Sequence, residues 1–214
     1  MSEAMPGSAP AAAQIRLVLA DDQALVRGGL AALLALEPDI DVVAEVGRGD
    51  DLLAAVERLR PDVCVVDIEM PGGDGITTTR RIREEHPDVR VLIVTTFGRP
   101  GYVSRALESG AGGFVVKDTP AGELADAVRK VNAGETVVDP VLARDSMVSG
   151  PDPLTPREKD VLRHALTGAR VADIAADLVL SQGTVRNHLS SAIAKTHTTT
   201  RGEAAREAQA RGWL

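Results

Sequence analysis

Between residues 15 and 131, short apolar runs alternate with segments of helical period, and that alternation limits the fold more than any other feature of the chain. IRLVLA (15–20), DVVAEV (41–46), DVCVVD (62–67), VRVLIVTT (89–96) and GFVVK (113–117) read as strands. Between and after them, helical spacing runs from Ala24 to Leu36, from Leu52 to Leu59, from Ile76 to His86, from Tyr102 to Leu107 and from Thr119 to Val131. Pro38, Pro61, Pro87 and Gly110 punctuate the pattern. The strand runs are continuous rather than alternating, as expected where both faces of a sheet are covered. Five β-α units in succession predict an α/β fold with a doubly wound parallel sheet. Aromatic residues are only 2% of the chain, so Ala, Val, Leu and Ile must build the core.

The rest of the chain reads differently. Residues 1–14 are small and polar and are expected to form a disordered tail. Residues 15–133 hold the β-α units, 134–153 a Gly- and Pro-containing linker, and 154–214 helical patterns without strand signals. Leu154-Thr155-Pro156-Arg157-Glu158 opens that last part as a capping box with proline at the first helical position. Charge divides at the same place. Residues 1–150 carry 15 Lys/Arg and 24 Asp/Glu, a net of −9, whereas 151–214 carry 9 and 7, a net of +2. An acidic front and a mildly basic back imply two domains with different partners. No apolar run approaches the roughly 18 residues of a membrane span. The N-terminus lacks the basic and apolar regions of a secretory signal. Cys64 is the single cysteine, which rules out an intrachain disulfide and a thiolate zinc site. The expected location is the cytoplasm, without membrane insertion.

Chemistry concentrates at strand ends. The first strand ends in Asp21-Asp22, the third in Asp67, the fourth in Thr95-Thr96 and the fifth in Lys117. In open α/β sheets ligands sit beyond the carboxyl ends of the strands, so these groups should converge. One aspartate ending a strand is often just a helix cap. Clustered carboxylates instead repel unless a cation neutralises them, and an all-oxygen set suits Mg²⁺. A metal beside a carboxylate and a lysine suits phosphoryl transfer to the carboxylate.

Asp21-Asp22, VVDIEMPGGDG (65–75), VTT (94–96) and GFVVKD (113–118) together resemble the receiver domain of two-component response regulators. The resemblance implies a flavodoxin-like five-stranded sheet of order 2-1-3-4-5. It implies that Asp67 accepts a phosphoryl group from a sensor histidine kinase. Asp22, Asp67 and the main-chain carbonyl of Glu69 are implied to hold Mg²⁺, with Asp21 supporting through water. Thr95 is implied to hydrogen-bond the phosphoryl group, Lys117 to pair with it, and Phe114 to fill the space Thr95 leaves. Phe114 has no hydroxyl, so its part is packing alone. Glu69 and Phe97 flank the approach of a hydrolytic water. Asp74 is expected to cap the following helix, Cys64 to be buried, and His86 to lie at the surface.

LTPREKDVL (154–162), VADIAADL (171–178), SQGTVRNHLSSAIAK (181–195) and TTTRGEAA (198–205) resemble the LuxR-type helix-turn-helix domain. Receiver plus this output domain is the NarL/FixJ class, and residues 95–118 resemble its DesR-type subgroup. Val185, Leu189 and Ile193 give the helix after Ser181 a core face, leaving Thr184, Arg186, Asn187 and Ser190 outward. Those four and Lys195 are the candidate contacts to double-stranded promoter DNA, with Arg186 and Asn187 best suited to base edges. His188 is expected to be structural or to touch phosphate. Where the family pattern continues Lys-Leu-Gly-Val, this chain has Lys195-Thr196-His197-Thr198, so Thr196 is expected to pack poorly.

Apolar residues on the first helix (Leu25, Leu30, Leu33, Leu34) and the fifth (Leu124, Val128, Val131) exceed the needs of one core face. They suggest a homodimer formed on phosphorylation. Two other readings stand at this point. One is a phosphatase of the haloacid dehalogenase type, although those carry Asp-x-Asp where this chain has Asp67-Ile68-Glu69. The other is a DNA-binding or protein-interaction regulator that ignores phosphorylation.

Overall fold

The computed structural model describes residues 14–96, 100–149 and 152–214. Residues 1–13 of the expected tail, and Phe97, lie outside the described residues. The chain forms β1 (Ile15–Ala20), α1 (Ala24–Leu34), β2 (Ile40–Val46), α2 (Gly49–Leu59), β3 (Val63–Asp67), α3 (Gly75–Glu85), β4 (Arg90–Thr95), α4 (Pro100–Glu108), β5 (Gly113–Val116) and α5 (Ala121–Asn132). Then come β6 (Val137–Val138), α6 (Pro140–Ser149), α7 (Pro156–Leu166), α8 (Val171–Asp177), α9 (Gln182–Lys195) and α10 (Arg201–Ala210).

The sheet order is β2-β1-β3-β4-β5-β6. The first five strands are parallel, in the order expected. Every residue of β3 is buried, which is why its sequence shows no alternation. Leu17, Leu19, Val63, Val65, Leu92 and Val94 form one face, packed with Ala31 and Leu34 of α1 and Leu124, Val128 and Val131 of α5. Burying each such Leu or Val contributes roughly 1.5–3 kcal/mol. The alternate residues of the same strands, Cys64 among them, point to the opposite face. Cys64 is fully buried, and burial pushes its thiol pKa well above the usual range.

The sixth strand and α6 both fall in the stretch read as linker. Val137 donates its main-chain N–H to the Gly112 carbonyl at 3.0 Å, continuing the sheet past β5. Two residues are too short to show a period. A second departure concerns the apolar surplus. Leu124, Val128 and Val131 of α5 are all core, so the surplus belongs to α1 alone, where Leu25 is 90% exposed and Leu33 44%. A third concerns His86, which is buried rather than at the surface. Its Nδ1 lies 2.6 Å from the Arg60 guanidinium and its Nε2 3.1 Å from Glu57.

The chain divides into two compact units. One comprises the sheet through β5 with α1, α2, α3 and α5. The other joins α4 to α6–α10. Its core is Leu154, Val161, Leu162, Ile174, Val185, Leu189, Ala204, Ala208 and Trp213. Thr155 and Glu158 form the expected capping box on α7, and Ser181 caps α9. Thr200 and Glu203 form another capping box, on α10. Among the described residues, no helix is long and apolar enough to cross a membrane.

Candidate functional site

The strand order brings the chemistry together. β1 and β3 are neighbours, as are β3 and β4, and β4 and β5. Their carboxyl ends therefore deliver Asp21, Asp67, Thr95 and Lys117 to one edge. Asp21, Asp67 and Thr95 are buried, whereas Asp22 and Glu69 are exposed. One oxygen from each of Asp21, Asp22 and Asp67 falls within 4.8 Å of the others.

Each group is held from its own backbone. Asp21 accepts from the Gln23 N–H at 2.9 Å, and Asp67 from the Ile68 N–H at 2.8 Å. Lys117 donates its main-chain N–H to the Thr95 carbonyl at 2.8 Å, which locks the ends of β4 and β5 together. Its ammonium lies 2.7 Å from Asp21 Oδ2 and 3.0 Å from Asp67 Oδ2. One buried cation thus serves two buried carboxylates. Burial raises the pKa of Asp67, the Lys117 ammonium pulls it back, and the neighbouring Asp21 charge raises it further. Burial also works to discharge Lys117, but its contacts with Asp21 and Asp67 prevail and raise its pKa.

The loop after Asp67 wraps the site closely. A Cβ at Gly75 would come within 2.0 Å of the Asp67 carbonyl oxygen, so only glycine fits there. Asp74 caps α3 by accepting from the Thr77 N–H at 3.1 Å, as expected. Phe114, the residue expected to act by packing alone, is fully buried in β5.

On α9, Arg186, Asn187 and Ser190 are exposed and Thr184 half-buried, while Val185, Leu189 and Ala192 are buried. Ile193, expected in the core face, packs against it only partly buried. His188 is half-buried. Lys195 pairs within the domain. Its ammonium is 2.8 Å from Glu158, a buried carboxylate that also accepts from the Ser191 hydroxyl at 2.6 Å. Thr196 differs from the expectation of poor packing. It is buried and well satisfied, its hydroxyl 2.9 Å from the Ala192 carbonyl and 2.9 Å from the Thr198 hydroxyl.

Comparison with known proteins decides the family. The response regulator receiver domain matches residues 17–129, and the luxR family of bacterial regulatory proteins matches residues 152–208. The chain is a response regulator of the NarL/FixJ class. This response regulator is 42% identical over 200 residues to YvfU of Bacillus subtilis, an uncharacterized transcriptional regulatory protein, with 94% of this chain and 100% of YvfU covered. It is 39% identical to the transcriptional regulatory protein DesR of the same organism, over 94% of this chain and 99% of DesR. Among solved structures it resembles the response regulator ChrA of a heme-sensing two-component system, at 35% identity and a TM-score of 0.58, over 95% of this chain and 100% of that one. It also resembles RcsB in an RcsB–DNA complex, at 25% identity and a TM-score of 0.65, over 92% of this chain and 98% of that one. The response regulator therefore belongs to two-component transcription factors and not to enzymes, which removes the phosphatase reading. Receiver domains generally bind Mg²⁺ at an acidic pocket, and the aspartate cluster is that pocket's counterpart here.

Proposed function

We propose that Asp67 accepts a phosphoryl group from a sensor histidine kinase, and that the modified chain pairs with a second copy and binds promoter DNA. The observation that carries this reading is the Lys117 ammonium bridging Asp21 and Asp67 at the edge where three carboxylates meet. A buried carboxylate poised beside a cation and close to open solvent suits nucleophilic attack on phosphorus. The Asp67 carboxylate oxygen forms the new P–O bond, and the P–N bond of the kinase phosphohistidine breaks with its electron pair leaving on the imidazole. Asp22, Asp67 and the Glu69 carbonyl would hold Mg²⁺, with Asp21 acting through water. The donors fit, being all oxygen and clustered. When bound, the ion offsets charge on the phosphoryl oxygens. Lys117 turns from Asp67 to the phosphoryl group, and the Thr95 hydroxyl donates to it.

The exposed Arg186, Asn187 and Ser190, with Thr184 beside them, form the face of α9 that reads the major groove. Lys195 contributes chiefly by tying α9 to α7 through Glu158. Pairing is supported by α1. Leu25, Gly29 and Ala32 recur about one helical turn apart on α1, Leu36 follows in the turn just past its end, and all four are exposed, Leu36 at 78%. A Cβ at Gly29 would meet nothing within 4 Å, so the stripe is flat enough for a second copy to approach. RcsB has been solved as dimers bound to DNA, which supports the same arrangement for this chain.

The test is intact-mass spectrometry with acetyl phosphate and Mg²⁺, run beside size exclusion on wild type and Asp67→Asn. One added phosphoryl group on wild type, absent from the variant and accompanied by a dimer shift, is the expected result. An unlabelled wild type that binds DNA equally well with and without acetyl phosphate would instead establish a regulator that ignores phosphorylation.

A further inference from the structure

The two acids that follow β1 are not held alike. Asp21 is buried, its N–H donates to the Val46 carbonyl at 3.0 Å, and its Oδ1 accepts from the Gln23 N–H at 2.9 Å. Asp22 is exposed, and among the described residues its carboxylate has no hydrogen-bond or ion-pair partner. Where Asp22 stands is therefore set by the main chain before it. The peptide unit joining the two acids is planar, and its carbonyl is that of Asp21. Fixing that oxygen fixes the plane from which Asp22 departs.

Arg27 fixes it. From α1 its Nη1 reaches back six residues and donates to the Asp21 carbonyl at 2.5 Å. Its Nε lies 3.8 Å from Glu45 Oε2 on β2. The main-chain N–H of the same residue donates to the Gln23 carbonyl at 2.9 Å, where the helix starts. β2 leaves room for the guanidinium, because a Cβ at Gly47 would stand 3.3 Å from Nη1 and 3.8 Å from the Asp21 oxygen. The start of α1 has little else to hold it. Gln23, its N-cap, makes no side-chain bond, and the first turn carries no acid. A planar guanidinium can face a carbonyl and a carboxylate at once, which a lysine ammonium does less well.

We infer that Arg27 is a positioning residue for the acidic edge, fixing the peptide between Asp21 and Asp22 so that both carboxylates stay with Asp67 within reach of one Mg²⁺. This rests on the reading of that edge as a Mg²⁺ and phosphoacceptor site. The guanidinium makes no ion pair with any of the three aspartates. As a bare positive charge it would repel a divalent cation placed beside it. As a brace it favours that cation. The two roles predict opposite signs, so one measurement separates them.

The experiment titrates Mg²⁺ alone into the full chain by calorimetry, for wild type, Arg27→Met and Arg27→Lys, with urea denaturation of each to show that it is folded. Methionine keeps an unbranched stem and suits a helix, but it removes the donors and the charge. Arg27→Met should bind Mg²⁺ more weakly by roughly tenfold to a hundredfold, as losing the outer support of a metal ligand does. Arg27→Lys, with the charge and one donor restored, should lie between that variant and wild type. Labelling by acetyl phosphate, read by intact mass, should be slow in Arg27→Met at limiting Mg²⁺ and return to the wild-type rate at saturating Mg²⁺. Equal or tighter Mg²⁺ binding in Arg27→Met overturns the brace. So does an Arg27→Lys affinity no better than that of Arg27→Met, or slow labelling that Mg²⁺ does not restore. Should Arg27→Met fail to fold, Arg27→Lys decides, with weaker binding than wild type expected and equal or tighter binding overturning the role. A wild type that binds no Mg²⁺ overturns the brace together with the metal reading. A wild type that binds Mg²⁺ but takes no label overturns the phosphoacceptor reading alone, and the calorimetry still decides Arg27.

Discussion

Lys117 illustrates how much a single side chain carries in this molecule. Its ammonium holds two buried carboxylates that would otherwise face each other uncompensated. Removing one partner of a buried charge cluster is strongly destabilising, typically by about 3–5 kcal/mol. Lys117→Ala is therefore expected to unfold at lower urea than wild type. The same change frees Asp21 and Asp67 for a divalent cation, so titration calorimetry should show tighter Mg²⁺ binding in the variant. Unaltered Mg²⁺ affinity would mean that Lys117 and the ion do not compete for these oxygens. Asp21, Asp67 and Lys117 were legible in the sequence, because each ends or follows a strand whose apolar run points it out. The burial of His86 was not legible, since its partners Glu57 and Arg60 come from α2 and no local pattern announces them. Thr196 was misjudged for a related reason. A threonine hydroxyl can bond the carbonyl one turn earlier, which lets a polar residue stand where a hydrophobic one was expected.

Among elements, α9 depends on α7. Burial works to raise the Glu158 pKa, but Lys195, Ser191 and the Thr155 N–H hold it down to about 2. A depressed carboxylate adds stability above its unfolded pKa, near 4.5, and loses it as the pH falls from there toward 2. Glu158→Gln should thus lower output-domain stability at neutral pH by roughly 3 kcal/mol or less, taking about 1.4 kcal/mol per pH unit. It should also flatten the acid limb between those pH values in urea denaturation. Equal slopes for wild type and variant would sink the assignment. The turn between α8 and α9 carries the opposite kind of feature. Val179 is β-branched, 90% exposed and left-handed at φ +55°. Asparagine tolerates that conformation, so Val179→Asn should stabilise the domain by roughly 0.5–1 kcal/mol, checked by chemical denaturation. The five strands were readable because covered strands leave continuous apolar runs. β6 and α6 were not, because a two-residue strand has no period and its proline and glycine neighbours look like a linker.

For the whole molecule, the exposed stripe on α1 and in the turn just past its end is the surface offered for pairing. Leu25→Lys or Leu36→Lys should weaken the phosphorylated dimer at least tenfold, about 1.4 kcal/mol, in sedimentation equilibrium, while leaving phosphoryl incorporation intact. A dimer of unchanged strength would place the interface elsewhere. The attachment of α4 to the output helices had no signature in the sequence, since Gly101 and Arg105 stand far from Gly212 along the chain and meet it only once the chain is folded. Cys64 has a separate consequence. The only thiol of the chain lies within β3 with no exposed surface, and burial disfavours its thiolate. An alkylating reagent can reach it only when the sheet opens, so the alkylation rate of the native protein is a built-in clock of sheet opening. Measured across ligand states, that clock would show whether occupying the acidic edge tightens the strands beneath it, with slower labelling meaning that it does.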